Sequence, residues 1–248
     1  MSKGCIIVTG ASKGIGAAIS SRLAASGYQV GCLSRSGSMP AAETASANIQ
    51  ANCFAISCDV SDENQLQTAF AATAEHFKQP LIGLVNNAGV HSQGKTETLH
   101  ADEFRRVMDI NAVAVLAASQ TIYPYFMRQA GGLIVNIGSF FDKLGIKQHV
   151  AYCAAKAAVG AMTRCMAVEW ANRGIRVLNV APGYIMTDMN REAMQTGPLA
   201  DYLAKRIPGG KPGQADDVAK LVESLFLMDN AFMTGETIYI DGAHGMLG

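Results

Sequence analysis

Short apolar runs alternate with longer helical patterns along the whole chain, and this alternation limits the possible folds more than any other feature. The predicted strands are Cys5–Thr9, Gln29–Ser34, Cys53–Ser57, Leu81–Asn86, Leu133–Ile137, Arg176–Ala181 and Thr237–Ile240. Strands separated by helix-length segments form βαβ units and a parallel sheet. Several runs are continuously apolar, as expected of strands covered by helices on both faces. The sequence therefore predicts an α/β fold with a doubly wound parallel sheet of about seven strands.

Composition is that of an ordinary compact domain. The 248-residue chain is 49% hydrophobic and 16% charged, and no linker interrupts the alternation. We therefore expect a single domain over residues 1–248. The formal net charge of +0 gives no reason to expect a nucleic-acid or membrane partner. The N-terminal apolar run ends at Gly10, too soon for a signal peptide or a membrane span, so we expect a cytoplasmic protein.

The cysteines lie in apolar strand or helix patterns, and none belongs to a CxxC pair. They are Cys5, Cys32, Cys53, Cys58, Cys153 and Cys165. Buried, reduced thiols are the ordinary interpretation of such a pattern. We therefore expect no disulfide and no metal site.

A glycine-rich turn, Thr9-Gly10-Ala11-Ser12-Lys13-Gly14-Ile15-Gly16, follows the first predicted strand. Gly10 permits a tight turn, Gly14 lets the backbone approach a phosphate, and Gly16 lets the next helix pack against its strand. The helix N-terminus then offers free N–H groups to a pyrophosphate. The spacing is GxxxGxG rather than GxGxxG, and an ordinary turn is the alternative. The strand before it and the helix after it favour a Rossmann-type dinucleotide site.

The end of the second strand bears on the choice between NAD and NADP. Folds that bind NAD commonly place an acidic residue there, facing the ribose 2′-hydroxyl. This chain has Ser34 followed by Arg35. Arg35 and Lys13 could each give a 2′-phosphate a charge-assisted hydrogen bond of about 1.5–3 kcal/mol. The sequence therefore favours NADP, with solvated surface cations as the alternative.

Two further segments end strands at the edge where open α/β sheets bind ligands. Asp59 follows the third strand, and it could meet an adenine amino group or help Ser61 to start the next helix. Asn86-Asn87-Ala88-Gly89 ends the fourth strand, and it could line a ligand or form a structural turn. Local sequence does not separate these alternatives.

A helical pattern extends from about residue 101 to 128, and we expect Pro124 to interrupt it. Asn111 lies inside this pattern, where asparagine is unfavourable unless its side chain has a partner. A satisfied core asparagine and a functional residue are both consistent with this position.

Ser139 ends the fifth strand, and Tyr152 and Lys156 follow on one face of the next helix. A cation about 4 Å from a phenolate, at an effective dielectric constant near 20, stabilises it by about 4 kcal/mol, or about three pKa units. Such a tyrosine could exchange a proton with a carbonyl or carbinol oxygen that Ser139 holds. A Tyr-x-x-x-Lys pair is common by chance, so its place after a dinucleotide-binding half gives it weight.

A methionine-containing segment follows the sixth strand and the turn at Pro182-Gly183. It contains Met186, Met189 and Met194. Flexible methionine side chains suit a lid over an apolar substrate, which we place at about residues 188–212. Plain core filling is the alternative.

Several motifs follow one another along the chain in a characteristic order and spacing. They are Thr9-Gly10-x-x-x-Gly14-Ile15-Gly16, Asn86-Asn87-Ala88-Gly89, Asn111, Ser139, Tyr152-x-x-x-Lys156, Pro182-Gly183, Thr234-Gly235-Glu236-Thr237 and Asp241-Gly242. Over essentially the whole chain this set resembles the short-chain dehydrogenase/reductase family, most of all the 3-oxoacyl-[acyl-carrier-protein] reductases. The resemblance implies a catalytic tetrad of Asn111, Ser139, Tyr152 and Lys156. In it Tyr152 is the general acid, Ser139 orients the carbonyl, Lys156 binds the nicotinamide ribose and lowers the tyrosine pKa, and Asn111 holds a relay water.

The resemblance also implies an NADP site along the carboxyl edge of the sheet. Its residues are Gly10, Ser12, Lys13, Gly14, Ile15, Gly16, Ser34, Arg35, Asp59, Val60, Asn87, Ala88, Gly89, Tyr152, Lys156, Pro182, Gly183, Ile185 and Thr187. Within this set, Asp59 and Val60 would meet the adenine, Asn87-Ala88-Gly89 and Ile185 would line the cofactor, and Thr187 would contact the carboxamide.

Partners and substrate are less closely defined. Relatives that dock acyl carrier protein share a basic pair, of which Arg173 matches one member, while Ala130 replaces the other and Arg128 lies two residues away. Phe140-Phe141 is bulkier than the small residues usual after the serine, which indicates an aromatic wall and a compact or ring-shaped substrate. The alternative is that either phenylalanine faces the core. Small and apolar residues on several faces of the helix from Tyr152 to Ala171 indicate subunit contacts. The resemblance implies a homotetramer.

Three functions are open at this point. The first is an NADPH-dependent carbonyl reductase acting on a 3-oxoacyl thioester or a related ketone. The second is a dehydrogenase of a secondary alcohol, polyol or cyclic alcohol. The third is a non-catalytic NADP-binding scaffold on the same fold, against which the intact tetrad counts.

Overall fold

A computed structural model describes residues 3–41, 47–129, 131–188 and 190–246. Its strands are β1 (Cys5–Thr9), β2 (Gln29–Ser34), β3 (Cys53–Ser57), β4 (Leu81–Asn86), β5 (Gly132–Ile137), β6 (Ile175–Pro182), β7 (Ile185–Met186), β8 (Gly213–Gln214) and β9 (Thr237–Ile240). Seven of them form one parallel sheet in the order β3-β2-β1-β4-β5-β6-β9, and β7 pairs with β8. The predicted doubly wound sheet is confirmed.

Helices cover both faces of this sheet. They are α1 (Gly14–Ala25), α2 (Ala47–Ala51), α3 (Glu63–Phe77), α4 (Ala101–Met108), α5 (Ala114–Met127), α6 (Val150–Trp170), α7 (Arg191–Gln195), α8 (Pro198–Arg206) and α9 (Ala215–Leu227). Alternate residues of a strand point to opposite faces. In β1, Ile6 and Val8 pack with α1 and α9, whereas Cys5 and Ile7 pack with α3, α5 and α6. The result is one core on each side of the sheet.

The strand order reverses between β1 and β4. The chain runs outward from β1 through β2 to β3, then crosses back so that β4 pairs with the other side of β1. Adjacent carboxyl ends that diverge in this way leave a crevice, which is where doubly wound sheets bind ligands. The glycine turn after β1 and the Asn87-Ala88-Gly89 turn after β4 lie on either side of it.

Pro124 does not interrupt its helix, so that expectation was wrong. Helix α5 continues through Pro124 to Met127. The carbonyl that loses its N–H partner belongs to Gln120, and both residues are exposed, so water can replace the missing bond. The irregularity lies earlier, at a π-helical turn over Asp109–Val113 that separates α4 from α5. Such turns are rare and often occur at functional sites.

All six cysteines are free thiols, but only four of them are buried. Cys5, Cys32, Cys53 and Cys58 are buried, Cys153 is partly buried and Cys165 is exposed. The interpretation of Cys165 as a core thiol was therefore wrong. Helix α6 carries small apolar residues on its solvent-facing side too, and this hides its orientation from the sequence.

Two kinds of feature are absent from the described ranges. No helix there is long and apolar enough to cross a membrane. The same residues include no group of three or more His, Cys, Asp or Glu side chains placed to hold a metal ion.

The segment after β6 has an apolar cluster of its own. Met194, Leu203 and Ile207 are buried together, with Tyr184 and Met186 packed against them. This cluster is separate from the two cores of the sheet. Met189, which we also assigned to the lid, lies outside the described residues.

Candidate active site

Backbone conformation and close packing explain why the turn after β1 contains glycine residues. Gly10 and Gly14 have φ angles of 66° and 59°, in the left-handed region that favours glycine. A Cβ on Gly16 would lie 2.2 Å from the carbonyl oxygen of Gly10 and 2.5 Å from Asn87 Nδ2. The first turn of α1 therefore packs directly against the loop that precedes it. Helix α1 has no acidic residue in its first turn and no side-chain cap, so its N-terminal N–H groups can bind an anion.

Thr9 and Asn87 tie the two sides of the crevice together. The backbone N–H groups of Asn87 and Ala88 both donate to Thr9 Oγ1, each at 3.0 Å. Asn87 Nδ2 donates back to the carbonyl oxygen of Thr9 at 2.9 Å. The asparagine turn thus has the structural role that the sequence left open, and it lies directly against the glycine turn.

At the end of β2, Ser34 is buried, while Arg35 is exposed, as is Lys13 at the start of α1. Neither cation forms an ion pair within the residue ranges that the structure describes. Asp59 is close enough to the guanidinium of Arg35 to be affected by its charge, but the two form no ion pair. Ser34 Oγ lies 3.3 Å from Ser36 Oγ, in a short polar turn.

Asp59 contacts Ser61 just before α3, in partial agreement with the alternative that it helps Ser61 to start that helix. Its Oδ1 accepts hydrogen bonds from the Ser61 hydroxyl at 2.7 Å and the Ser61 N–H at 3.0 Å. These bonds, and more weakly the nearby guanidinium of Arg35, hold the pKa of Asp59 below its usual range. The cap of α3 itself is Asp62. Contact between Asp59 and an adenine stays a prediction, for which the second carboxylate oxygen is available.

Asn111 occupies the π-helical turn and is fully buried. Its Oδ1 accepts from the N–H of Val90 at 2.8 Å, and its Nδ2 donates to the carbonyl oxygen of Val90 at 2.8 Å. A Cβ on Gly89 would lie 3.0 Å from Asn111 Oδ1. Asn111 therefore has the partner that the sequence required, and it fixes the loop after Gly89.

Ser139, Tyr152 and Lys156 meet at the carboxyl end of β5. Ser139 is buried, and its Oγ accepts from the N–H of Phe141 at 3.2 Å. Lys156 is buried and donates from Nζ to the carbonyl oxygen of Ile137 at 2.7 Å. Its Nζ lies 5.7 Å from the centroid of the Tyr152 ring.

The expected lowering of the tyrosine pKa is absent, and that part of the sequence argument was wrong. Burial raises the pKa of Tyr152 to about 12, although the neighbouring Ser139 hydroxyl acts in the opposite direction. Burial also lowers the pKa of Lys156 to about 8, since an ammonium group is poorly solvated there. Desolvation of both groups outweighs their attraction. At neutral pH Tyr152 keeps its proton, which is the state that a general acid needs.

The other predicted residues lie along the same edge. Thr9, Val60 and Ala88 line one cleft. A Cβ on Gly14 would lie 3.5 Å from Thr187 Cγ2, so Thr187 lies over the start of α1. The remaining positions are Ser12 and Ile15 at the glycine turn, and Pro182, Gly183 and Ile185, which run from the end of β6 into β7. The fold thus brings the predicted residues to one crevice.

A ladder of buried asparagines supports this edge, and the sequence reading missed its role. Asn86, Asn136 and Asn179 are in register on β4, β5 and β6. Asn86 Nδ2 donates to Asn136 Oδ1 at 2.9 Å, and Asn136 Nδ2 donates to Thr163 Oγ1 of α6 at 2.9 Å. The signal available was an asparagine at the end of three successive predicted strands. The ladder fixes α6, and therefore Tyr152 and Lys156, relative to the sheet.

Aromatic rings surround Tyr152, and most of them were also missed. His91 lies 4.9 Å and Phe141 5.9 Å from Tyr152 between ring centroids. His149 closes this first ring cluster, at 4.8 Å from His91 and 5.6 Å from Phe141. These rings come from parts of the chain that are distant in sequence, so no local sequence pattern predicts that they contact one another.

A second ring cluster joins the first through the adjacent phenylalanines. It consists of Phe140, Tyr184, Tyr202 and His244. Phe140 and Phe141 are 2% and 6% exposed, so they support the wall from behind. The rings with accessible surface are His91, His149, Tyr152, Tyr184 and Tyr202. The aromatic wall hinted at by the sequence is present, but most of its accessible rings have polar edges.

Comparison with known proteins identifies the family. Residues 10–244 match a family model described as enoyl-(acyl carrier protein) reductase. The chain belongs to the short-chain dehydrogenase/reductase family, whose members bind NAD(P), and it is an oxidoreductase acting on CH–OH groups.

Two curated relatives and one solved structure illustrate the range of the family. The 3-oxoacyl-[acyl-carrier-protein] reductase MabA of Mycobacterium bovis is 33% identical over 97% of this chain and 92% of its own. D-threitol dehydrogenase of Mycolicibacterium smegmatis is 33% identical over 96% and 91%. The structure described as ElxO with NADP bound has a TM-score of 0.90 and 29% identity, over 99% of this chain and 100% of that chain.

Proposed function

We propose that this protein is an NADPH-dependent carbonyl reductase that transfers a hydride to a ketone. The observation that carries the proposal is the meeting of Ser139, Tyr152 and Lys156 at the same edge of the sheet as the glycine turn, with Tyr152 protonated at neutral pH. The reaction needs a proton donor close to a bound hydride donor. In this proposal Tyr152 is the proton donor, and the glycine turn binds the cofactor that carries the hydride.

The chain's own groups fit a dinucleotide phosphate. The uncapped N-terminus of α1 suits the pyrophosphate, and a Cβ at Gly16 would fill the space behind the turn. Arg35 and Lys13, both exposed and without a carboxylate at the end of β2, support a 2′-phosphate and hence NADPH over NADH. When bound, the reduced nicotinamide supplies the hydride.

In the proposed mechanism Ser139 holds the carbonyl oxygen and Tyr152 donates its proton to that oxygen as the carbon is reduced. Lys156, fixed by the Ile137 carbonyl, holds the ribose of the cofactor. Asn111 retains one lone pair on Oδ1 and one N–H on Nδ2 beyond its bonds to Val90. These groups suffice to hold the predicted relay water.

Two substrate classes have support. The motif set and the likeness to MabA favour a 3-oxoacyl thioester. The polar-edged rings around Tyr152, and the likeness to D-threitol dehydrogenase, favour a polyol or cyclic alcohol and its ketone. Docking of acyl carrier protein is supported only by Arg173, which is exposed. Ala130, which replaces the second basic residue of the pair, lies outside the described residues.

Two structural proposals accompany this function. The segment at about residues 188–212 acts as a lid, because Met194, Leu203 and Ile207 form a unit separate from the sheet cores. The chain assembles as a homotetramer, which the exposed apolar side chains Val113 of the π-helical turn and Val168 of α6, at 51% and 82% exposure, support.

The test follows NADPH and NADH absorbance with acetoacetyl thioesters and a panel of simple, hydroxylated and cyclic ketones. The expected result is turnover with NADPH that requires Tyr152. Equal turnover by wild type and Tyr152→Phe would contradict the mechanism, and a preference for NADH would contradict the role given to Arg35 and Lys13.

A further inference from the structure

Two loops meet directly above Tyr152. The loop after β4 contributes His91, Gln93 and Gly94, and the loop before α6 contributes Gln148 and His149. The N–H of Gly94 donates to the carbonyl oxygen of Gln148 at 2.8 Å, and Gln93 Nε2 donates to Gln148 Oε1 at 2.9 Å. The imidazoles of His91 and His149 complete this loop clasp, with ring centroids 4.8 Å apart.

Backbone geometry at the clasp is unusual. Gln148 has a φ angle of 66°, a left-handed conformation that non-glycine residues seldom adopt. Such conformations persist where surrounding contacts impose them, and they are concentrated at binding sites. Here the hydrogen bonds from Gln93 and Gly94 hold Gln148. The adjacent His149 packs against His91 and Phe141, the two rings that lie beside Tyr152.

Hydrogen bonding assigns a role to each nitrogen of His149. Its Nδ1 lies 2.7 Å from the carbonyl oxygen of Lys147. A carbonyl oxygen only accepts, so Nδ1 carries a proton, and in the neutral ring Nε2 is an acceptor. His91 is exposed and packs against the Tyr152 ring, with its edge available to a ligand. The other ring beside Tyr152, Phe141, offers no hydrogen bond.

We propose that His91 and His149 bind a hydroxyl group on the carbon next to the reacting carbonyl, so that α-hydroxy ketones, and vicinal diols in the reverse direction, are the preferred substrates. The proposal rests on the proposed function, because the position of Tyr152 and Ser139 defines where the reacting oxygen lies. The neighbouring hydroxyl is separated from that oxygen by two carbon atoms. It therefore falls within reach of the ring that packs on Tyr152.

Charge supports a neutral hydroxyl group rather than a carboxylate. Partial desolvation against the neighbouring rings, and the imidazole of His149 beside it, lower the pKa of His91. A neutral imidazole both donates and accepts, which matches a hydroxyl group. A carboxylate would instead require a protonated ring or an arginine. A 3-oxoacyl thioester has no hydroxyl group at the position in question, so this inference favours the second substrate class.

The test uses ketones that differ only in the hydroxyl group. These are 3-hydroxybutan-2-one against butan-2-one, and 2-hydroxycyclohexanone against cyclohexanone. We expect wild type to favour the hydroxylated member by about 10- to 100-fold in kcat/KM, because the analogue without the hydroxyl group leaves the imidazole nitrogens without a partner. His149→Phe and His91→Phe should bring this ratio close to 1, mainly through KM. His149→Gln, which keeps an acceptor, should restore part of it.

A matched control separates loss of a histidine from loss of this site. His76 stacks on Phe54 at a centroid distance of 3.9 Å, at the end of α3 and away from Tyr152. His76→Phe should therefore leave the ratio unchanged. A wild-type ratio near 1, or an equal fall in the ratio in all three phenylalanine variants, would overturn the proposal.

Binding without turnover distinguishes this proposal from the proposed function. Calorimetric titration of the NADP-loaded protein with butane-2,3-diol and with butan-2-ol measures the same selectivity. If no ketone is reduced but the diol binds about tenfold tighter and His149→Phe abolishes the difference, the histidine site stands and the proposed function fails. If ketones are reduced but diol and alcohol bind equally, the proposed function stands and the histidine site is wrong.

Discussion

The cofactor half and the substrate half of the crevice are built by different means. Around the glycine turn, backbone atoms touch backbone atoms, and a Cβ at Gly16 would lie 2.2 Å from a carbonyl oxygen. Around Tyr152, side-chain rings from separate loops touch one another at centroid distances of 4.8 to 5.9 Å. The first half accepts hardly any substitution without rebuilding the chain. The second can exchange rings while the scaffold stays in place, so substrate choice can change while cofactor binding does not.

The largest expected effect is at Tyr152, the proposed proton donor. Tyr152→Phe removes the hydroxyl group but keeps the ring that packs against His91 and Phe141. We expect kcat to fall about 10³-fold, since general acid catalysis contributes about 10²- to 10⁴-fold. NADPH oxidation measures the loss, and NADPH fluorescence should show unchanged cofactor affinity. A variant within a few-fold of wild type would show that another group delivers the proton.

The strongest steric prediction concerns the cofactor half. Gly16→Ala places a methyl group against Gly10 and Asn87, so we expect a loss of about 3 kcal/mol or more in the free energy of unfolding, together with loss of NADPH binding. Gly209→Ala is the control, because no atom lies within 4 Å of a Cβ there. Urea denaturation and NADPH titration give the two readouts. Equal stability of the two variants would mean that the turn can relax and is not sterically fixed.

Lys156 offers a test by pH. Burial lowers its pKa from 10.5 to about 8, so the folded state disfavours the charged form. That cost is fully present below pH 8 and disappears as the pH rises towards 10.5, because the unfolded chain then binds more protons than the folded one. The difference in the free energy of unfolding between wild type and Lys156→Met should therefore change by about 2–3 kcal/mol in favour of wild type between pH 7 and 10.

Tyr152 sets the upper limit of the pH range in which the stability effect of Lys156 can be measured. Its pKa is raised to about 12, so above pH 10 the folded state keeps a proton that the unfolded chain loses, and stability falls again. Urea denaturation of wild type and Lys156→Met at pH 7, 8, 9 and 10 measures the gap. A gap that stays constant over this range would show that Lys156 is not desolvated as described.

The difference between the cofactor half and the substrate half also explains which features could be predicted from the sequence. The seven strands and the glycine turn follow from local rules, namely apolar runs, helix-length spacing and positions that only glycine can occupy. The pKa of Tyr152 could not be predicted, because the distance to Lys156 suggests attraction while burial, a tertiary property, decides the sign. His91 and His149 meet through a clasp between loops more than fifty residues apart, which no periodicity encodes.

The smallest expected effect is at the end of the cofactor half where we propose that a 2′-phosphate binds, and where the proposed contacts come from side chains rather than backbone. Arg35 is exposed and forms no ion pair with the residues described. Arg35→Ala should lower the preference for NADPH over NADH by about 10- to 100-fold, as expected from losing a hydrogen bond of about 1.5–3 kcal/mol to a charged group.

Arg105→Ala, which removes an arginine paired with Asp102 on α4, is the matched surface control for Arg35→Ala. Values of kcat/KM for both cofactors with one ketone give the ratio. An equal ratio in wild type and Arg35→Ala would assign Arg35 to the solvated surface and leave Lys13 as the cation to test. A lowered ratio with an unchanged melting temperature would show that this end of the cofactor half, like the ring clusters, can be altered without rebuilding the chain.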